Sequence, residues 1–175
     1  MTIPVKLRAV FDSSASGDDK MARLMKVLCD VLACDRCLLF LRDPETRKTR
    51  CTHGYEIDPG FAFDRPDEGW VPHPESIETD DPMFAEAMRN PEALFIEDIE
   101  TAPSDLVNAE YERLHFKHRA LIHAPLRHDG KLYGVLEPCT MEKPRVWSAD
   151  DREITAWTMK QLTPIAMDYI AANCR

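Results

Sequence analysis

Three thiols crowd one short stretch of this sequence, C-D-V-L-A-C-D-R-C, which holds Cys29, Cys34 and Cys37. The Cys-x-x-Cys of Cys34 and Cys37 has the spacing of a dithiol redox pair or of half a zinc site, and it also arises from composition alone. The other thiols are Cys51, Cys139 and Cys174, and the histidines stand scattered at 53, 73, 115, 118, 123 and 128. No second pair follows at zinc-like spacing, so no metal site is expected. Two further groups could do chemistry from inside apolar runs. His123 sits in R-A-L-I-H-A-P-L, where an imidazole can donate, accept or change charge. Glu137 sits in G-V-L-E-P-C, and buried without a partner it would cost several kcal/mol. It must pair with a group such as His123 or Arg119 or reach solvent at the strand end, and the strand end is the expected outcome.

The elements that must position these residues are legible from periodicity. Met21, Leu24, Met25, Leu28, Val31 and Leu32 recur at helical spacing over residues 21–32, with Asp18 or Asp19 as N-cap. The run C-L-L-F-L-R-D-P that follows reads as a short apolar strand, and R-K-T-R-C-T-H as its edge-strand partner in a hairpin. Residues 54–81, rich in Pro, Gly, Asp and Glu with Trp70 as an isolated aromatic, predict a long irregular excursion of the functional or mobile kind. Residues 82–90 predict a short helix opened by Pro82, and A-L-F-I-E-D-I a strand after it. A polar helix capped by Ser104 is expected to run to about Phe116, carrying Tyr111, Glu112 and His115. Asp129-Gly130 between two apolar runs is a strong hairpin signal. Ser148 with Asp151 three residues on opens a long final helix, which Pro164 is expected to kink.

The order is helix, hairpin, excursion, hairpin, helix. It predicts an α+β fold, an α/β/α sandwich in which a central antiparallel sheet carries the N- and C-terminal helices on one face. Loops and short helices then roof a pocket on the other. Residues 1–19 are expected to form an N-terminal extension and residues 20–175 a single domain.

Composition bounds the function. A net charge of −9 argues against a nucleic-acid footprint and against anionic membrane surfaces, although R-L-H-F-K-H-R at residues 113–119 is locally basic. No apolar run approaches the ~18 residues of a spanning helix, and the N-terminus has no signal-peptide core, so a cytoplasmic protein with free thiols is expected. The final helix spaces Ile154, Trp157, Gln161 and Ile165 along one face and Ala156, Met159 and Ala166 along another. A helix apolar on two faces must bury both, and homodimerisation is expected through it.

The element order resembles a GAF domain, with L-C-D-V-L-A-C-D-R-C-L-L-F-L-R-D in front, D-D-P-M-F-A-E-A-M in the middle and H-R-A-L-I-H-A-P-L with G-K-L-Y-G-V-L at the back. The resemblance covers residues 20–172. It implies a small-molecule sensor and dimerisation module, with no room here for a fused effector, acting through its own oligomeric state or a partner signalling protein. It places Cys37 at the Asp-Arg-Cys corner that starts the first strand, as a small buried residue. Residues 132–147 are similar to the bilin-binding GAF domains of cyanobacteriochromes and phytochromes. In those the attachment Cys-His precedes the later strand, and the corresponding places here hold Asn108 and Ala109. A thioether needs a thiol, so no covalent bilin is expected at that place, and the cofactor is left unknown.

The resemblance implies a ligand site formed by Leu121, His123 and Cys139 on the pocket face of the sheet and by Tyr111 and His115 on the roof. No catalytic residue is expected. The alternatives are a thiol-dependent reductase of free methionine sulfoxide using Cys139, and a dimerisation scaffold whose pocket is filled.

Overall fold

The computed structural model describes residues 2–64 and 69–174. The chain opens with α1 (Val5–Asp12) and α2 (Gly17–Leu32). Segment 1–19 therefore contains a helix that the sequence reading left out, and its Leu7 and Val10 are buried in the main core. Ser16, rather than Asp18 or Asp19, caps α2 by accepting from the Asp19 amide. The carboxylates occupy the first turn, where they complement the helix dipole. Helix α2 ends on Ala33 in the left-handed region, φ 47°, so Cys34 lies one residue beyond the cap.

The Asp-Arg-Cys corner then turns the chain into β1 (Arg36–Arg42). The Asp35 carboxylate accepts from the Met141 amide at 2.8 Å, and its carbonyl accepts from the Ile57 amide, so one residue ties the ends of three strands together. Strand β2 (Lys48–Glu56) pairs antiparallel with β1, extending three residues into the segment expected to be irregular. That segment continues with a 3-10 turn (Pro59–Phe61), β3 (Val71–Pro72) and α3 (Ile77–Asp80). Residues 65–68 of it lie outside the described residues. Strand β3 pairs with Lys48 and Thr49, so β2 is not the outermost strand there.

Next come α4 (Pro82–Ala87), β4 (Leu94–Ile96) and α5 (Ala109–His115). Helix α5 starts later than expected because Asn108, not Ser104, supplies the cap, accepting from the Tyr111 amide at 3.2 Å. Strands β5 (Ala120–His128) and β6 (Lys131–Thr140) form the expected hairpin, with Asp129 and Gly130 both at positive φ in the two-residue turn. Helix α6 (Ala149–Asn173) begins in a complete capping box of Ser148 and Asp151. It runs as a single helix with Pro164 in its interior.

The six strands form one antiparallel sheet in the order β3-β2-β1-β6-β5-β4. The predicted α+β sandwich is present. One sheet face, with Cys37, Leu39, Leu41, Ile122, Ala124 and Leu136, packs on α2 and α6 to make the main core. The buried stripe of α6 runs through Ile154, Thr158, Leu162, Ala166 and Ile170, an i, i+4 progression different from either expected face. Trp157 is instead covered by Phe11 of α1, ring centroids 5.3 Å apart and nearly perpendicular. The other sheet face lies under α3, α4 and α5. Among the described residues no helix is long and apolar enough to cross a membrane.

Candidate functional site

Alternation along β1 sends Arg36, Leu38, Phe40 and Arg42 to the face opposite the core. Arg36 stays buried by reaching the roof, its Nη1 donating to the Phe61 carbonyl and its Nη2 to that of Phe116 at 2.7 Å. Arg42, at the far end of the strand, is 6% exposed and makes one long hydrogen bond, Nη1 to the Leu132 carbonyl at 3.4 Å. Between the two arginines Phe40 forms a floor. A side-chain carbon on Gly134 of the neighbouring strand would run into the Phe40 carbonyl, so only glycine lets β1 and β6 approach this closely.

Over this floor lies a cavity of about 290 Å³. Its walls are largely aromatic. Phe40 meets Phe63 and Phe116 edge-on, at centroid distances of 5.7 and 6.0 Å, and Phe63 and Phe116 stack at 5.6 Å with planes 6° apart. Phe84 closes the α4 side and touches the His73 ring at 4.7 Å.

Polar groups enter at two ends. Arg42 and His73 line the end near the β1–β2 turn, and Asp81, Tyr111, His123 and Glu137 the end toward α5. Asp81 caps α4 by accepting from the Phe84 amide at 3.0 Å. Burial, aided by the Glu112 charge, nevertheless pushes its carboxyl up to about 7. Glu137 is buried, 3.5 Å from His123 Nε2, so the histidine pairing holds and the expected exit to solvent does not. Glu137 lies within β6 on the roofed face of the sheet, where it lines the cavity and is 7% exposed. Burial first, then the charges of Glu112 and Asp81, hold the Glu137 carboxyl well above the usual carboxylate range. Burial pushes His123 down to about 3 and His73 to about 4, so both rings are neutral at pH 7. Tyr111 is pushed up to about 12, by burial and by the Asp81 and Glu112 charges. That end of the cavity therefore presents two carboxyls that hold their protons to higher pH than usual, a phenol and a neutral imidazole, all able to donate or accept hydrogen bonds.

Of the five residues expected at a ligand site, His123 and Tyr111 line the cavity. Leu121 and Cys139 lie on the expected sheet face and are directly paired, but outside the lining. Met83, Ile99 and Val107 cover them in a small apolar cluster of their own. His115 is exposed on α5, its ring 4.4 Å from that of Tyr111 and outside the lining.

Sequence reasoning missed Arg42, Asp81 and the phenylalanine walls. A usable signal was present in R-C-L-L-F-L-R, where period-two alternation puts two arginines and a phenylalanine on one face of a strand that read as wholly apolar.

All six thiols are free. Cys29, Cys34, Cys37 and Cys139 are buried, and the Cys37 Sγ rests 3.7 Å from the Met25 Sδ. Burial pushes Cys139 up to about 12 and holds Cys37 well above the usual thiol range. Among the described residues no group of three or more His, Cys, Asp or Glu side chains could hold a metal ion.

The place matched to bilin attachment is a structural joint. Asn108 caps α5 with its Oδ1 and donates from Nδ2 to the Asp80 carbonyl at 2.9 Å, joining α5 to the end of α3.

A family model described as GAF domain matches residues 18–161. Among solved structures, the phycocyanobilin-bound GAF domain from a cyanobacterial phytochrome superposes with a TM-score of 0.71 at 18% identity, covering 98% of this chain and 97% of that one. The GAF domain from the Acinetobacter phosphoenolpyruvate-protein phosphotransferase gives 0.69 at 16% identity, with 95% and 93% covered. The free methionine-R-sulfoxide reductase from Neisseria meningitidis, solved with its substrate, gives 0.65 at 16% identity, with 97% and 89% covered. No curated protein matches the chain in sequence.

Proposed function

The chain belongs to the GAF domain family, and on that premise we propose that it is a non-catalytic sensor that binds a small molecule reversibly in the cavity over Phe40. The observation that carries this reading is an aromatic chamber of about 290 Å³ into which incompletely satisfied polar groups project. Among the described residues, the buried Arg42 Nε, His73 Nδ1 and His123 Nδ1 have no hydrogen-bond partner. Buried polar atoms are rarely left unpaired, and a ligand or the water it displaces would satisfy these. A scaffold with a vestigial pocket would fill the space with side chains instead.

Attachment is non-covalent in this reading, because the side chain at the bilin position is the Asn108 amide, already engaged on both of its polar atoms. The reductase alternative needs a readily ionised thiol at the site. Cys139 lies outside the lining, and its burial opposes the thiolate. The protein works in the cytoplasm and reports ligand through a homodimer or a signalling partner. The half-buried Trp157, Met159, Ile165 and Tyr169 on the helical layer offer apolar surface for the dimer.

Native mass spectrometry of protein isolated without denaturation tests the sensor reading. The expected spectrum shows a small-molecule adduct that disappears in denaturing solvent. A bare polypeptide mass from every preparation, with no melting-temperature rise across a metabolite library, would overturn it.

A further inference from the structure

We propose that the cavity selects a small aromatic monocarboxylate, its anion against Arg42 and an uncharged polar substituent against Asp81 and Glu137. This rests on the reading of the cavity as a ligand site.

Register fixes the two ends. Arg42 pairs across β1 and β2 with Thr49, whereas Glu137 pairs with Leu38, four residues back along β1. Four residues of strand separate the ends by ~13 Å, less what the side chains span by leaning inward. Phe40 lies midway, so a ligand reaching from one end to the other must cross its ring.

At the first end Arg42 is buried with its Nε unpaired, and burial lowers its pKa. A buried cation without a hydrogen-bonded counter-charge is costly, and an anion able to take two parallel N–H bonds relieves that cost.

The second end excludes a second anion. Burial first, with neighbouring acids behind it, already raises the Asp81 and Glu137 carboxyls, so another carboxylate there would bury a further negative charge where charge is disfavoured. A hydroxyl or carbonyl instead meets donors and acceptors. Between the ends, Phe63 and Phe116 stand edge-on to Phe40, leaving a ring-lined space that favours a flat body. The chamber volume admits one or two rings.

The test is isothermal titration at pH 7 with 4-hydroxycinnamate and its amide, which share a shape and differ in the anion. The parent protein is expected to bind the acid at least ~10-fold more tightly than the amide, the scale of one charge-assisted bidentate contact. Arg42→Met should bring the two ligands to within about two-fold, and Arg42→Lys should keep part of the preference. Should Arg42→Met fail to fold, Arg42→Lys carries the same comparison with a smaller expected loss, and the parent comparison needs no variant.

Equal binding of acid and amide, or a preference that survives Arg42→Met, overturns the monocarboxylate assignment while leaving the sensor reading standing. Tighter binding of phenyl phosphate than of the acid overturns it in the same way. Binding of neither cinnamate also overturns it, and the sensor reading is then judged separately by whether native mass spectrometry still shows an adduct.

Discussion

His118 Nε2 lies 2.8 Å from Glu112 Oε2, and both side chains are at most 2% exposed. Burial pushes the Glu112 carboxyl up to about 8 and the His118 ring down to about 3. A neutral acid donating to a neutral imidazole fits both shifts. Gln donates from the same place, so Glu112→Gln should cost less than ~1 kcal/mol. Glu112→Ala strands the imidazole and should cost ~1–3 kcal/mol. Urea unfolding of the two variants checks this, and equal losses would mean the hydrogen bond contributes nothing.

The same shifts set a pH dependence. The folded Glu112 carboxyl binds its proton up to about pH 8 and the unfolded one only to about 4.5, so its contribution is complete below pH 4.5 and is lost as pH rises through 8. Asp81 and Glu137 act in the same direction. His73, His118 and His123 act oppositely, stabilising above pH 6.5 and losing that contribution as pH falls through about 4 to 3. Between pH 4.5 and 6.5 the two sets offset each other, and above 6.5 only the acids remain in play. Stability should therefore fall from pH 6.5 to about 8.5, by at most ~1.4 kcal/mol per pH unit per group, and Glu112→Gln should flatten the fall. Urea midpoints across that range check both.

Thiol accessibility gives an independent test of the reductase alternative. Cys51 and Cys174 are half-buried and should react first with iodoacetamide at pH 8, while Cys37 and Cys139 stay unmodified in the native protein. Peptide mass spectrometry after a timed quench reads the order. Early labelling of Cys139, or turnover of free methionine sulfoxide lost in Cys139→Ala, would return the protein to the enzymes.

Asn108→Ala removes the α5 cap and the tie to Asp80, and should cost ~1–2 kcal/mol. The parent expressed in a bilin-producing host should give no coloured band on a denaturing gel.

Pro164 denies α6 the bond that a residue there would make to the Lys160 carbonyl, yet the helix is continuous and Pro164 is exposed. Pro164→Ala should raise stability by ~1–3 kcal/mol in the same urea assay. Homodimerisation is checked by sedimentation velocity over a range of concentrations, with a rise toward twice the 20.1 kDa chain mass expected.

The sequence by itself determined the elements and their order, because those follow from local causes. Ser148 with Asp151 writes a cap, Asp129-Gly130 writes a two-residue turn, and the period of Met21, Leu24, Met25 and Leu28 writes a buried helix face. It also disclosed that Asn108 cannot hold a thioether, since that depends on one side chain's chemistry. What only the tertiary structure decided were matters of distance in space. Leu121, His123 and Cys139 share a sheet face, but Val107 and Ile99 descend on one end of it and leave the other open, so His123 meets the cavity while its neighbours are covered. Glu137 lost its expected route to water because the roof covers its face of the sheet, and it found His123 across the hairpin instead. Arg42 became a site residue only when β6 passed beside β1 and the roof closed over Phe40. Propensity acts within a few residues, whereas burial and charge pairing depend on segments that the chain brings together from far apart.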